Sequence, residues 1–249
     1  MSKNTKDIIL ESAISLFNTQ GFSGTSIRDI AGKARVNVAH ISYYFKNKRG
    51  LLEYCFTDFF EGYIKEIENG FASLNKGAAY CLKQVTKNII QYLYKNTQLT
   101  RFVLREISID SQIVREVMAT YLMKEKYFLN RIFEEGMRTR ELKIFSIDYS
   151  IIQFKGLLYM PFLNTDYLSE VLYIFPHESY FAEKYMKEIY AWIDGVLLNK
   201  EENKEVLSPV VKDGKLLGVL DIDSPSLNRF DELDQKKLEE FVSVLAEFL

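Results

Sequence analysis

Proline and glycine are scarce in this chain, and cysteine and histidine are nearly absent. Four prolines and twelve glycines in 249 residues leave long stretches that nothing interrupts, which favours long helices. The two cysteines, Cys55 and Cys81, stand in helical contexts without CxxC spacing, which argues against a disulfide framework or a thiol redox centre. Two histidines in total argue against a metal site, and neither a metal nor another cofactor is expected. No run of 18 apolar residues occurs, and the stretch at 156–163, GLLYMPFL, is too short to span a bilayer. The polar start MSKNTKD has no apolar core of a signal peptide, so a cytoplasmic protein without a membrane partner is expected.

What is present is a globular composition, with 47% hydrophobic and 14% aromatic residues. The net charge of −2 conceals an asymmetry. Residues 1–50 carry eight Lys or Arg against three acids, residues 51–199 have a net charge of −2, and residues 200–249 of −5. A basic head on an acidic body suits a protein that presents one end to phosphates.

Hydrophobic periodicity predicts a mainly all-α fold. A first helix over 5–19 carries Ile9, Ala13, Leu16 and Phe17 on one face, with Thr5 as N-cap and Gly21 beyond its end. A second runs from about Ser26 to Ala34, capped by Thr25 or Ser26, with Ile27, Ile30, Ala31 and Ala34 aligned. A third covers Val38 to Phe45, and Lys48 opens a long fourth with Leu51, Leu52, Phe56 and Phe59. The longest later stretch, about 111–140, repeats Val114, Met118, Tyr121, Glu125, Leu129, Ile132 and Gly136 near the helical period. Segment 179–199 is apolar nearly all round, so it should bury two faces, one of them against a second subunit. That places Tyr185, Ile189, Trp192, Ile193 and Val196 in a homodimer interface.

The two short helices at 25–45, joined at Arg35 to Asn37, have the layout of a helix-turn-helix. Ile27, Ile30, Ala31, Val36, Ile41 and Phe45 can anchor it, leaving Asn37, Val38, Ala39, His40, Ser42, Tyr43 and Tyr44 to face outward. His40 is suited to reading a base or a phosphate. With Arg28, Arg35, Lys46 and Lys48 around it, this surface predicts a partner in double-stranded DNA. Residues 17–52, FNTQGFSGTSIRDIAGKARVNVAHISYYFKNKRGLL, resemble the DNA-binding domain of the TetR family of bacterial regulators. The resemblance implies that Thr25 and Ser26 open the second helix and contact phosphate, and that Lys48 binds the DNA backbone. It also departs from the family pattern, because Ser42 replaces a customary tyrosine and moves the phosphate contact toward Tyr43 or Tyr44.

The resemblance covers residues 1–199 and implies a plan of 1–47 for DNA and 48–199 for dimerisation and regulation, while the charge run KEENKE marks 200–249 as a charged linker and a partial tail domain. Segments LTRFVLREISIDSQIVREVMATYLMKEKYFL (99–129) and SEVLYIFPHESYF (169–181) resemble a sporulation-associated subgroup in bacilli. That subgroup implies palindromic sites around the replication origin, nucleoid association, and action on the tubulin-like cell-division protein. The cluster of Arg101, Arg105, Glu106, Arg115 and Glu116 is either an ion-pair network within the subunit or a protein-contact surface. The many aromatics of 54–190 are either core or the lining of an effector pocket, and His177 should cap or pack in a loop.

Beyond about residue 200 the pattern changes to two strands, VLSPVV and LLGVLDID, joined at Lys212-Asp213-Gly214-Lys215, and a last helix from about Asp231. Residues 205–249, through PVVKDGKLLGVLDIDSPSLNRFDELDQKKLEEFV, resemble the end of GAF-type free methionine-(R)-sulfoxide reductases, which implies substrate-holding roles for Asp221 and Asp223. The nucleophilic cysteines of those enzymes have no counterpart in this tail, so no catalytic residue and no enzyme activity is expected.

Overall fold

The computed structural model describes residues 4–109, 111–199, 206–212, 215–222 and 232–248. The chain divides into two compact units, 1–198 and 199–249.

The first unit is helical. Its elements are α1 (Thr5–Gly24), α2 (Ile27–Ala34), α3 (Val38–Phe45), α4 (Lys48–Phe71), α5 (Ala78–Lys95), α6 (Thr97–Glu106) and α7 (Gln112–Arg138). These are followed by α8 (Ile147–Leu163), α9 (Thr165–Glu170) and α10 (Ser179–Trp192), which runs on into a π-turn at Ile193–Leu197. Asn4, not Thr5, caps α1, accepting from the Asp7 amide at 2.9 Å. Gly21, at φ 75° and ψ 162°, kinks that helix in a region open essentially to glycine, one turn before its assigned end.

Helix α4 is the axis of the unit. It packs on α5 and α7, and Leu51, Leu52, Phe56, Phe59, Phe60 and Tyr63 are all buried along it. Each buried aromatic of this kind contributes about 2–3 kcal/mol of apolar burial. Helix α5 begins after Gly77 without a side-chain cap of its own, and the Glu141 carboxylate supplies one from beyond α7, accepting from the Ala78 and Ala79 amides. The face of α7 expected from its period is buried or half-buried, Glu125 included.

Two interface assignments need correction. Ile189 and Ile193 are 1% and 0% exposed within the subunit, because α10 and its π-turn pack on α5. The π-turn carries an i→i+5 bond, Leu198 N–H to the Ile193 carbonyl at 3.1 Å, which rotates the faces that a 3.6-residue period predicts. Tyr185 and Trp192 are half-buried, and Val196 alone of the five is open to solvent, at 45%. Among the described residues no helix is long and apolar enough to cross a membrane.

The second unit has β1 (Val206–Lys212) paired antiparallel with β2 (Lys215–Ile222), and α11 (Glu232–Phe248) lying on β1. Val210 and Val242 are buried together, with Leu220 packed against them. Lys212 pairs with Lys215 across Asp213 and Gly214, which lie outside the described residues, as do Asp223 and the charged run 200–205. Of Asp221, the strand backbone is described.

Candidate nucleic-acid interface

The head is built from α1 to α3 and the start of α4. Ser26 caps α2 and Asp29 returns the bond, the Ser26 amide donating to Asp29 at 2.8 Å and the Asp29 amide to the Ser26 hydroxyl at 3.1 Å. The bonds from the Ser26 side chain and backbone hold the Asp29 carboxyl below its ordinary value. Helix α2 ends in a left-handed Arg35, at φ 55°, and the Val36 amide closes the end on the Ala31 carbonyl at 3.1 Å. Asn37 then caps α3 by accepting from the Ala39 amide at 2.8 Å.

That turn sets the phase of α3. Ile41 and Phe45 are buried in the head, while Val38, Ala39, His40, Ser42, Tyr43 and Tyr44 are exposed, Tyr43 to 80%. The Tyr43 and Tyr44 rings meet edge to face, 5.0 Å between centroids. Helix α3, eight residues long, therefore presents a six-residue exposed face, narrow enough for a major groove about 12 Å wide. Arg28, Arg35 and Lys46 are exposed around it.

Two expected phosphate contacts are placed differently. Thr25 is 1% exposed, and its hydroxyl donates to the Gly21 carbonyl at 2.9 Å, so it fastens the kink instead of facing solvent. Ser26 is exposed beside it, with its hydroxyl hydrogen free of the cap bond it accepts. Lys48 stands at the first position of α4 after the Asn47 cap, but its ammonium folds back. It donates to the carbonyls of Phe22 at 2.8 Å and Thr25 at 2.7 Å, and lies 4.4 Å from the Phe22 ring centroid. One ammonium proton is left for a phosphate.

The passage from α3 to α4 is tighter than the sequence suggested. Lys46 takes φ 66° and ψ −58°, and the Asn47 amide donates to the Phe45 carbonyl at 2.7 Å, which makes a γ-turn. Such a turn is strained, by about 1–3 kcal/mol, and it sits beside α3. Gly50 was not singled out by sequence, although a glycine in the first turn of a helix is a signal; a side chain there would strike Phe45.

Two members of the charged cluster on the body bond to residues outside it. Arg105 donates to the Asn18 carbonyl of α1 at 3.1 Å, and Glu116 meets Gln112 at 2.8 Å and Arg49 at 3.9 Å. Arg101 is half-buried, and burial, ahead of the Arg105 charge that opposes it, raises the Glu106 carboxyl above its ordinary value. His177 lies exposed in the loop before α10, 3.6 Å from Glu178, and its carbonyl accepts from the Tyr94 hydroxyl. Among the described residues no group of three or more His, Cys, Asp or Glu is placed to hold a metal ion.

A helix-turn-helix head carried by a helical body defines a DNA-binding regulator. Residues 9–55 match the model of bacterial regulatory proteins of the tetR family. The chain is 50% identical over 197 residues to "Probable HTH-type transcriptional regulator YttP" of Bacillus subtilis (strain 168), covering 79% of this chain and 95% of that protein. Among solved structures, the ketosteroid transcriptional regulator KstR2 of Mycobacterium tuberculosis shares the fold at a TM-score of 0.66 and 11% identity, over 80% of this chain and 98% of that one. A shorter match, 46% identical over 41 residues, is to GAF domain-containing protein A of Dictyostelium discoideum, covering 16% of this chain and 26% of that protein. The chain belongs to the TetR family of bacterial transcriptional regulators, which bind DNA and act as dimers.

Proposed function

We propose that this protein binds palindromic DNA sites as a homodimer, each α3 entering one major groove of consecutive half-sites. The observation that carries this is the division of α3 into a buried edge, Ile41 and Phe45, and an exposed face with His40, Tyr43 and Tyr44. Asn37, Val38, Ala39 and His40 lie toward the bases, while Ser26, Arg28, Arg35, Tyr43, Tyr44, Lys46 and Lys48 hold phosphates.

The dimer face is formed by the side of α8 that its own subunit leaves open. Tyr149 is 70% and Ile152 65% exposed, and Met160 and Leu163 follow on the same side. Gly156 has open space where a side chain would stand, as does Gly195 in the π-turn, and small residues let a partner helix come close. Tyr185 ties α10 to α8 through the Leu157 carbonyl at 2.7 Å, which keeps both on one side.

The sites recognised are few and lie around the replication origin, where the protein acts on the tubulin-like division protein during sporulation. The surface of Arg101, Arg105, Arg115 and Glu116 is the contact for that partner. The tail at 200–249 is a fused GAF-like remnant without a catalytic role, a reading that the GAF-domain match supports. A second reading, a ligand-responsive repressor of a local operon, is favoured by a cleft of about 480 Å³ in the body.

Genome-wide mapping of bound DNA, with the full chain and with one ending at Asn199, tests the proposal. A handful of origin-proximal palindromes, unchanged by truncation, is the expected result. Binding confined to one or two promoters would overturn the division role, and loss on truncation would overturn the passive tail.

A further inference from the structure

Three helices of the body meet at a buried charge. Glu125 projects from α7 into the core and is 2% exposed. Its carboxylate accepts from the Tyr63 hydroxyl of α4 at 2.7 Å. The Tyr159 hydroxyl of α8 lies 3.0 Å from the same carboxylate oxygen and 2.7 Å from the Tyr63 hydroxyl. The Lys155 ammonium, also from α8, pairs with the other carboxylate oxygen. Burial, ahead of the nearby Glu125 charge, pushes both phenols well above their ordinary value, so they remain neutral donors. Four side chains thus close one network in which the carboxylate is fully partnered.

The stability of the fold gives little reason for such a network. A buried ion pair seldom outperforms apolar side chains of the same volume, because both charges lose their water. Its distinct property is direction. Apolar faces can slide past one another at small cost, whereas hydrogen bonds to one carboxylate fix distance and angle together. Buried polar groups are best attested as devices that set the register of one helix on another.

The helices joined here are the ones that lie between head and dimer face. Helix α4 opens at Lys48, directly after α3, and Tyr63 stands roughly 22 Å along its axis from there. Helix α8 carries the open side with Ile152 and Gly156, and Tyr159 follows Ile152 by two helical turns, so the network borders that side. Helix α7 packs on both α4 and α8 and brings Glu125 between them. The lever is long. A tilt of α4 by about 5° at Tyr63 would carry its first turn roughly 2 Å sideways. Across a two-fold axis the shift doubles to roughly 4 Å, close to the base-pair step of about 3.4 Å.

We propose that Glu125 is a positioning residue for DNA recognition. By tying α4 to α8 through Tyr63, Tyr159 and Lys155, it sets the distance between the two α3 helices of the dimer, and with it the one half-site separation that the protein accepts. The proposal rests on the reading of a homodimer on palindromic sites with its dimer face on α8. It adds a division of labour: α3 chooses the half-site sequence, and the buried network chooses the separation.

The test is selection of bound duplexes from a random-insert DNA library by the full chain, followed by sequencing. The unaltered protein should return one half-site sequence in inverted pairs at a single separation. The double variant Glu125→Met with Lys155→Met replaces the ion pair by apolar side chains of similar length, and should fold. It should return the same half-site at separations that differ by one base pair or more. A role in stability alone would weaken all duplexes alike and leave the separation sharp, so a folded double variant with a single separation would overturn the proposal. Loss of the half-site sequence in a folded double variant would place the effect in α3 and overturn it too. If the double variant does not fold, Tyr159→Phe, which removes the hydroxyl bridge and keeps the ion pair, decides in the same selection: a spread of separations supports the proposal and a single one overturns it. The underlying reading is judged on the unaltered protein. Single, unpaired half-sites there would remove the palindromic dimer and the proposal with it, whereas a sharp separation in both proteins removes the proposal and leaves the dimer standing.

Discussion

A methyl group on Gly50 would stand 2.1 Å from the carbonyl oxygen of Phe45. The γ-turn at Lys46 folds that carbonyl back toward the first turn of α4, and only a residue without a side chain fits beneath it. Gly50→Ala should therefore force α3 and α4 apart. The expected cost is about 1–3 kcal/mol in stability, from overpacking against backbone that cannot shift freely. DNA affinity should fall by at least tenfold, since the recognition helix would lose its angle. Unchanged binding in a fluorescence-anisotropy titration would show that this joint tolerates movement.

Tyr43 offers a cleaner test of contact, because its side chain touches little of its own subunit. Tyr43→Ala should change stability by no more than about 0.5 kcal/mol. It should weaken DNA binding about tenfold, the worth of one hydrogen bond to a charged group. His40→Ala should instead relax sequence preference, read by competition between the preferred site and mismatched duplexes. If both variants bound normally, α3 would not be the reading element.

The dimer can be separated from the subunit core by two substitutions to aspartate. Ile193→Asp would place a charge at a position 0% exposed inside one subunit and should unfold it, at a cost of several kcal/mol. Ile152→Asp, at a position 65% exposed, should leave the subunit folded and shift light-scattering mass from dimer to monomer. A dimeric Ile152→Asp protein would move the interface away from α8.

The two cysteines should behave as inert core groups. Burial raises the Cys81 thiol to about 11 and pushes Cys55 higher still. At pH 8 the Cys81 thiolate fraction is then on the order of 10⁻³, and thiolate is the reactive form. A chromogenic disulfide reagent should titrate no thiol in the native protein and two per chain in guanidinium. One rapidly reacting thiol in the native protein would contradict the burial described.

The head was legible in the sequence because its structure is local. Ile41 and Phe45 are one turn apart, and the spacing alone puts them on the face that is buried. Thr25 was misread because its partner is a carbonyl freed by the kink at Gly21, which no spacing rule describes. Ile189 and Ile193 failed for a similar reason. An apolar circumference states that two faces are buried, but the π-turn and α5 decide which residues go inward. Glu125 was visible on the apolar face of α7, while its partners come from 62 and 30 residues away and only the folded body brings them together.

The inward fold of Lys48 bears on how binding is divided between enthalpy and order. A surface lysine that reaches for phosphate gives up much of its rotamer freedom on contact, a cost of about 1.5–2 kcal/mol. Lys48 has surrendered that freedom already, since two carbonyls and the Phe22 ring hold its ammonium before DNA arrives. Its charge is a fixed part of the head, stationed where α1, α2 and α4 converge. Cooling or crowding the chain should leave that charge in place, while loosening the Gly21 kink should displace it from a distance.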